Sequence, residues 1–220
     1  MIFYAILEVK GEKMIILFGP AGSGKSTQGR TIADTYGLRW LSVGQVLRDT
    51  GQFDETLKRG ELIDDATVVE LMEKQIAFAD AEGMDIILDG YPRDMEQAEI
   101  LLNDDSSNFF GKLAGVVVLN VPKDELWRRI EERGRADDTK EAFERRYKIY
   151  EQKTCSILPM IKERGIPVVD VDGVGDFDEV TKRVTKVISK MMPKLVKVMA
   201  LDDPESIEND AFEREKSYGE

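Results

Sequence analysis

The chain has 220 residues, of which 34% are charged, and a formal net charge of −12. This acidity argues against a nucleic acid or an anionic membrane surface as the main partner. With no histidine and a single cysteine, Cys155, the chain also lacks the means for Ser-His or Cys-His catalysis, an intrachain disulfide, or a Cys- or His-ligated zinc site.

The length suits one α/β domain with small inserts, and a 42% hydrophobic content supplies its core. No apolar run approaches the ~18 residues of a membrane span. Residues 1–9 are apolar but carry neither a basic n-region nor a small-residue cleavage site, so a signal peptide is not expected and the cytoplasm is.

Taken in order, residues 1–13 read as an N-terminal extension in which Ile2 to Leu7 could form an edge strand. Met14 to Phe18 is a short apolar run of the kind that forms a buried parallel strand. Gly19-Pro20-Ala21-Gly22-Ser23-Gly24-Lys25-Ser26 follows, with Thr27 next. It fits G-x-x-x-x-G-K-[ST], the phosphate-gripping P-loop. Its glycines let the backbone wrap a phosphate closely, and the helix expected over Ser26 to Tyr36 adds the partial positive charge of its start. Lys25 can reach the outer phosphates, and the Ser26 hydroxyl can ligate Mg²⁺.

Trp40 to Gly44 reads as a second strand. Gln45 to Asp49 opens a helical turn carrying Arg48, Asp54 to Arg59 forms a short helix, and Ala66 to about Ala81 a longer one with Asp64 and Asp65 at the N-cap. Met84 to Gly90 is the third strand. It ends at Asp89, where an acidic residue can order a magnesium shell. Met95 to Leu102 is helical, and Asn103 to Asn108 is a polar loop. The Val-rich run Leu113 to Val121 is the fourth strand. Lys123 to Glu132 is helical, Arg133-Gly134-Arg135 is a tight turn, and Thr139 to about Lys162 forms one helix or two, with Pro159 permitting a bend. Ile166 to Val171 is the fifth strand. Phe177 to Met192 is amphipathic, with Val180, Val184, Val187, Ile188 and Met191 on one stripe. Alternating strands and helices predict a doubly wound, parallel, five-stranded sheet of the P-loop type. Residues 193–220 read as an acidic tail.

An acidic protein that handles polyphosphate has to concentrate its positive charge locally. Arg48, Arg93, Arg129, Arg133, Arg135 and Arg146 fall at strand ends, in loops, or beside them. Arginine suits phosphate because its planar fork grips oxygens in pairs and stays charged. Arg128 and Arg164 read as ordinary surface charges.

The P-loop is joined in order by Leu41-Ser42-Val43-Gly44-Gln45-Val46-Leu47-Arg48, Gly60-Glu61-Leu62-Ile63, Leu88-Asp89-Gly90-Tyr91-Pro92-Arg93 with Gln97, and Arg135-Ala136-Asp137-Asp138 with Arg146. Together these resemble the adenylate kinase family over about Met14 to Met192, and the Asp-Gly-Tyr-Pro-Arg stretch carries most of the specificity.

The resemblance implies Mg²⁺-dependent phosphoryl transfer from ATP to a nucleoside monophosphate (NMP), with AMP as the leading acceptor. A UMP/CMP-preferring kinase is the alternative, and a P-loop ATPase or nucleotide switch a more distant one. It also implies an NMP-binding insert at about residues 42–71, a very short lid at about 129–138 without zinc, and a monomer. By position, residues 19–27, Arg129 and Gly175 would hold ATP, with Arg129 stacking on adenine. Val43, Arg48, Glu61, Leu62, Ile63, Gly90, Arg93, Gln97, Arg135 and Arg146 would hold the NMP. Lys25, Arg93, Arg133, Arg135 and Arg146 would act on the transferred group, and Ser26 and Asp89 on the metal, Asp89 through water. Three positions depart from the family pattern. Val43 cannot hydrogen-bond a base, Gln45 lacks the usual acidic charge, and the lid is about four residues shorter than expected.

Overall fold

Met14–Phe18 is buried at every position and forms β1, the middle strand of the sheet. The computed structural model describes residues 13–59, 61, 63–102, 112–193 and 195. The edge strand expected over Ile2 to Leu7, Gly60, Leu62, the loop Asn103 to Asn108, and the tail beyond Leu195 lie outside the described residues.

The other strands are β2 (Arg39–Ser42), β3 (Ile86–Asp89), β4 (Leu113–Asn120) and β5 (Val168–Asp172). All pairings are parallel, in the order β2-β3-β1-β4-β5. Alternation of side chains along each strand splits the core into two layers. Ile15, Leu17, Ile87, Val117 and Leu119 face one layer; Met14, Ile16, Phe18, Leu88, Val116 and Val118 face the other. Both faces are covered, which is why the strands read as unbroken apolar runs.

Helix α1 (Lys25–Tyr36) follows β1 and packs Ile32 and Ala33 on the first layer. Between β2 and β3 run α2 (Val43–Thr50), α3 (Asp54–Lys58) and α4 (Asp65–Ala81). Asp64 caps α4 by accepting the Thr67 N–H at 2.9 Å. Val68, Met72, Ile76 and Ala79 of α4 bury on the second layer, each large side chain contributing about 1.5–3 kcal/mol. Further along run α5 (Met95–Leu101), α6 (Lys123–Arg133), α7 (Lys140–Ile149), α8 (Ile157–Glu163) and α9 (Phe177–Met191). On α9, Val180, Val184 and Ile188 are buried at helical spacing, as the stripe predicts.

Two elements differ from the sequence reading. Val43 and Gly44 open α2 instead of closing β2. Of the one helix or two expected from Thr139, two form, and the break falls ahead of Pro159 and not at it. A π-helical stretch, Tyr150–Thr154, follows α7, and α8 starts at Ile157. Pro159 has no N–H for the Cys155 carbonyl, and its ring crowds that carbonyl. The carbonyl instead accepts the Leu158 N–H at 3.3 Å, so the chain is already bent before the proline.

Candidate active site

The order β3-β1-β4 makes the carboxyl end of β1 a switch point, where consecutive connections leave to opposite sides of the sheet and a crevice opens. A cavity of about 500 Å³ lies there, floored by residues 17–28. The loop is shaped by left-handed glycines: Gly22 has φ 85° and Gly24 φ 90°. A Cβ on Gly22 would come within 2.6 Å of the Leu126 carbonyl, so this loop packs directly on α6 backbone. Gly24 caps α1 without a side-chain hydrogen bond, and the first turn carries no acidic residue. The amides at that helix start therefore meet no competing side-chain acceptor and suit an anion.

Lys25 Nζ donates to the Pro20 carbonyl at 3.2 Å. Burial lowers its pKa; Asp89 opposes the shift, while Arg93, Arg133 and Arg146 add to it. Asp89 ends β3 in register with Leu17 and Ser42, is 2% exposed, and has an Oδ2 without a protein partner. An acid at the head of so many cations, with one oxygen unused, fits a hydrated cation at the cavity wall, with the Ser26 hydroxyl on the same wall. Among the described residues no three His, Cys, Asp or Glu side chains are grouped to hold a metal by themselves. A magnesium ion here would need phosphate or water for most of its shell.

Arg48, Arg93, Arg133, Arg135 and Arg146 all line the cavity with Lys25. Different elements bring them there: α2, the turn after β3, the end of α6, the following turn, and α7. Arg93 is pinned, its Nε donating to the Gly90 carbonyl at 2.8 Å and its own carbonyl accepting from Thr154 Oγ1 at 2.7 Å. Arg146 donates to the Leu57 carbonyl and to Asp137, each at 2.6 Å. Arg48 Nη2 is 3.4 Å from Gln45 Oε1, so the uncharged Gln45 still touches it. Burial lowers the Arg93 pKa, with Arg146 and Arg48 adding to the effect. Burial likewise lowers that of Arg135, with Arg133 and Arg48 adding. Cations crowded enough to depress one another mark a place where an anion belongs.

Arg129 also lines the cavity. Its Nε donates to Glu125 at 2.7 Å and its Nη2 to the Gly173 carbonyl at 3.0 Å. Gly173 and Gly175 edge the same end, and Glu61 and Gly90 lie toward the insert. Three expected nucleotide contacts are set behind the wall. Val43 is 1% and Ile63 7% exposed, both in the core, and Gln97 is 1% exposed with both ends of its amide engaged. Leu62 lies outside the described residues.

Several wall residues carry no signal in the reading of the chain. Glu125 could have been paired with Arg129 by its i,i+4 spacing. Asp138 does not line the cavity; it sits within a quoted motif and shows its importance only once Arg133 folds back on it. Tyr150 and Thr154 reach the cavity through the π-helical stretch, which periodicity does not reveal. Phe177, 48% exposed, lies on the wall beside Gly175. Arg128, read as a surface charge, pairs with Glu125 and Glu132 at the rim.

A parallel 2-3-1-4-5 sheet with a glycine loop between β1 and α1 and cations converging above it defines a P-loop nucleotide-binding phosphotransferase. A sequence model of the adenylate kinase family matches residues 17–166. The chain is 35% identical over 182 residues to an adenylate kinase of Xylella fastidiosa, covering 77% of this chain and 96% of that protein. It is 35% identical over 185 residues to one of Thermus thermophilus, covering 77% and 94%, and 37% identical over 187 residues to one of Micrococcus luteus, covering 79% and 89%. The chain belongs to the adenylate kinase family. No helix among the described residues is long and apolar enough to cross a membrane.

Proposed function

We propose that the protein moves the γ-phosphoryl group of ATP onto the phosphate of AMP, giving two molecules of ADP. The observation that carries this reading is the ring of Arg48, Arg93, Arg133, Arg135 and Arg146 around one cavity above the Lys25 loop, in a member of this family.

In this reading the loop amides, Lys25, Ser26 and Thr27 hold the ATP phosphates, and Arg129 stacks on its adenine with Gly175 beside it. Arg48 and Arg93 hold the AMP phosphate. Residues 42–71 form the insert that receives AMP, with Glu61 and Gly90 at the cavity wall and Val43, Leu62, Ile63 and Gln97 assigned to the nucleoside, which would have to displace the cover over Val43, Ile63 and Gln97. Residues 129–138 form a minimal lid. An oxygen of the AMP phosphate attacks the γ-phosphorus, and the bond from that phosphorus to the β,γ-bridging oxygen breaks. The electron pair leaves with ADP. The attacking oxygen is already ionised, so no proton has to be removed, and a chain without histidine can do this chemistry. What the transfer needs is positioning and neutralisation of spreading negative charge, and Arg133, Arg135 and Arg146 supply both. Asp89 and Ser26 would hold a magnesium ion, which when bound neutralises charge on the ATP phosphates.

A coupled assay with ATP and one acceptor at a time, AMP, CMP, UMP, GMP or dTMP, tests the reading. AMP should give the highest kcat/KM. A higher value for UMP or CMP would move the assignment to a pyrimidine-nucleotide kinase, and no acceptor-dependent ADP would remove the kinase reading.

A further inference from the structure

Gln97 is the residue from which base selectivity would come, yet its amide is already held at both ends. Its Oε1 accepts the Arg93 backbone N–H at 2.9 Å, and its Nε2 donates to Asp65 Oδ1 at 2.5 Å. Its own backbone N–H donates to Asp94 Oδ1 at 3.1 Å. The chemistry leaves one orientation for the amide. A backbone N–H can only donate and a carboxylate can only accept, so oxygen must face Arg93 and nitrogen must face Asp65. Gln97 is 1% exposed and lies behind the cavity wall in the ligand-free protein, but after both bonds one lone pair and one N–H remain, in a fixed order, for a base that displaces that cover.

Asp65 opens α4 in the insert, and Gln97 sits on α5, 32 residues further along. The bond therefore ties the insert to the wall that Pro92 and Arg93 form. Keeping a carboxylate there has a cost, because Asp94 lies beside it. Burial, and then the charge of Asp65, push the Asp94 carboxyl above the usual carboxylate range.

We propose that Asp65 is a specificity-determining positioning residue. By holding Gln97 Nε2 it fixes the order of donor and acceptor on that amide, and so selects an adenine edge over the inverted edge of hypoxanthine or guanine. A free glutamine amide turns over and reads either edge. Adenine offers an acceptor at N1 and a donor at N6, whereas hypoxanthine offers a donor at N1 and an acceptor at O6. The flipped amide would aim its oxygen at the Asp65 acceptor and its N–H at the Arg93 N–H, losing both bonds. The inference rests on Gln97 reading the acceptor base.

The test compares AMP with IMP, which differ at this edge of the base, in the full-length wild type and in Asp65→Asn and Asp65→Ala. An asparagine is close in size but can turn with the glutamine. Asp65→Asn should lower the kcat/KM ratio of AMP to IMP by about tenfold, carried mainly by KM. Asp65→Ala should lower it in the same direction. An unchanged ratio in both variants, or an equal loss for both acceptors, would overturn the proposal. A second readout does not depend on catalysis. In ¹H–¹⁵N spectra, one Gln97 side-chain amide proton should be shifted downfield and slow to exchange in the wild type, and lose both features in Asp65→Asn. Identical amide signals in the two proteins would overturn the lock itself. A wild type that holds the amide but phosphorylates AMP no better than IMP would instead contradict the assignment of Gln97 to the base.

Discussion

Arg133 closes on Asp138 with two hydrogen bonds, Nε to Oδ2 at 2.8 Å and Nη2 to Oδ1 at 2.5 Å. The same carboxylate accepts the Arg135 N–H at 3.0 Å, lies 3.9 Å from Arg146 Nη1, and has a fully shielded side chain. One acid thus grips the Arg133 side chain and the Arg135 backbone and lies within ion-pair range of Arg146. Asp138→Asn keeps the size but loses the second charged acceptor. It should lower kcat by about 10²-fold, since small misplacements around a transferring group are that costly. Steady-state kinetics at saturating ATP and AMP check this; an unaltered kcat would mean that Asp138 is only a lid cap.

Arg93 contributes charge to a region already overfull of it. Arg93→Ala should reduce kcat/KM by about 10³-fold, the scale for losing an arginine that meets the transferring group. The ligand-free protein should melt within a few degrees of the wild type, because losing a buried charge and its repulsion from Arg146 and Arg48 offsets losing the attraction of Asp89 and the bond to the Gly90 carbonyl. Kinetics paired with thermal melts decide it. A large drop in melting temperature with modest kinetic loss would make Arg93 a structural residue.

Glu125 holds Arg129 and Arg128, and those bonds, Arg128 first, pull its pKa down to about 2. A depressed carboxyl acts fully above its ordinary range and loses its effect only as pH falls toward that low value. The posture of Arg129 should therefore be constant from about pH 5 to pH 8. Glu125→Gln should raise the KM for ATP about tenfold and leave that for AMP nearly as it was. A KM for AMP that rises in step would contradict the placement of Arg129 at the ATP end.

Lys25 has a lowered pKa, chiefly through burial. A lysine lowered on folding binds fewer protons folded than unfolded. Ligand-free stability should therefore rise with pH across the interval between its folded pKa and the ordinary 10.5. Over the same interval kcat/KM for ATP should fall, because the free enzyme loses the charge that meets the phosphates. Urea melts and an alkaline rate profile measure the two trends, and Lys25→Arg should move the rate limb to higher pH. Trends that run together would contradict the role given to Lys25.

The central strands β3, β1 and β4 were legible because they are buried on both faces and read as apolar runs, as Met14–Phe18 does, while the edge strands β2 and β5 are only partly buried. The cradle was legible because its glycines carry a fixed spacing. The arginines were legible as a set, by their placement at strand ends and turns. What escaped depends on contacts distant in sequence. Gln97 is engaged by Asp65, 32 residues away, and Arg146 by the Leu57 carbonyl, 89 residues away. The bend before α8 was read at Pro159, but the loss of one N–H acts on the preceding turn, and the π-helical stretch there moves Thr154 onto the Arg93 carbonyl. Val43 shows the limit of apolar patterning. A residue that ends one buried strand and one that begins a buried helix look alike when only hydrophobicity is read.

The fate of the γ-phosphate is the most direct measurement. ATP labelled in that position, mixed with AMP and Mg²⁺, should deliver its label to the β-phosphate of newly made ADP, with two ADP formed for each ATP consumed. Label recovered as inorganic phosphate or bound to the protein, with AMP unchanged, would contradict transfer between two nucleotides held end to end.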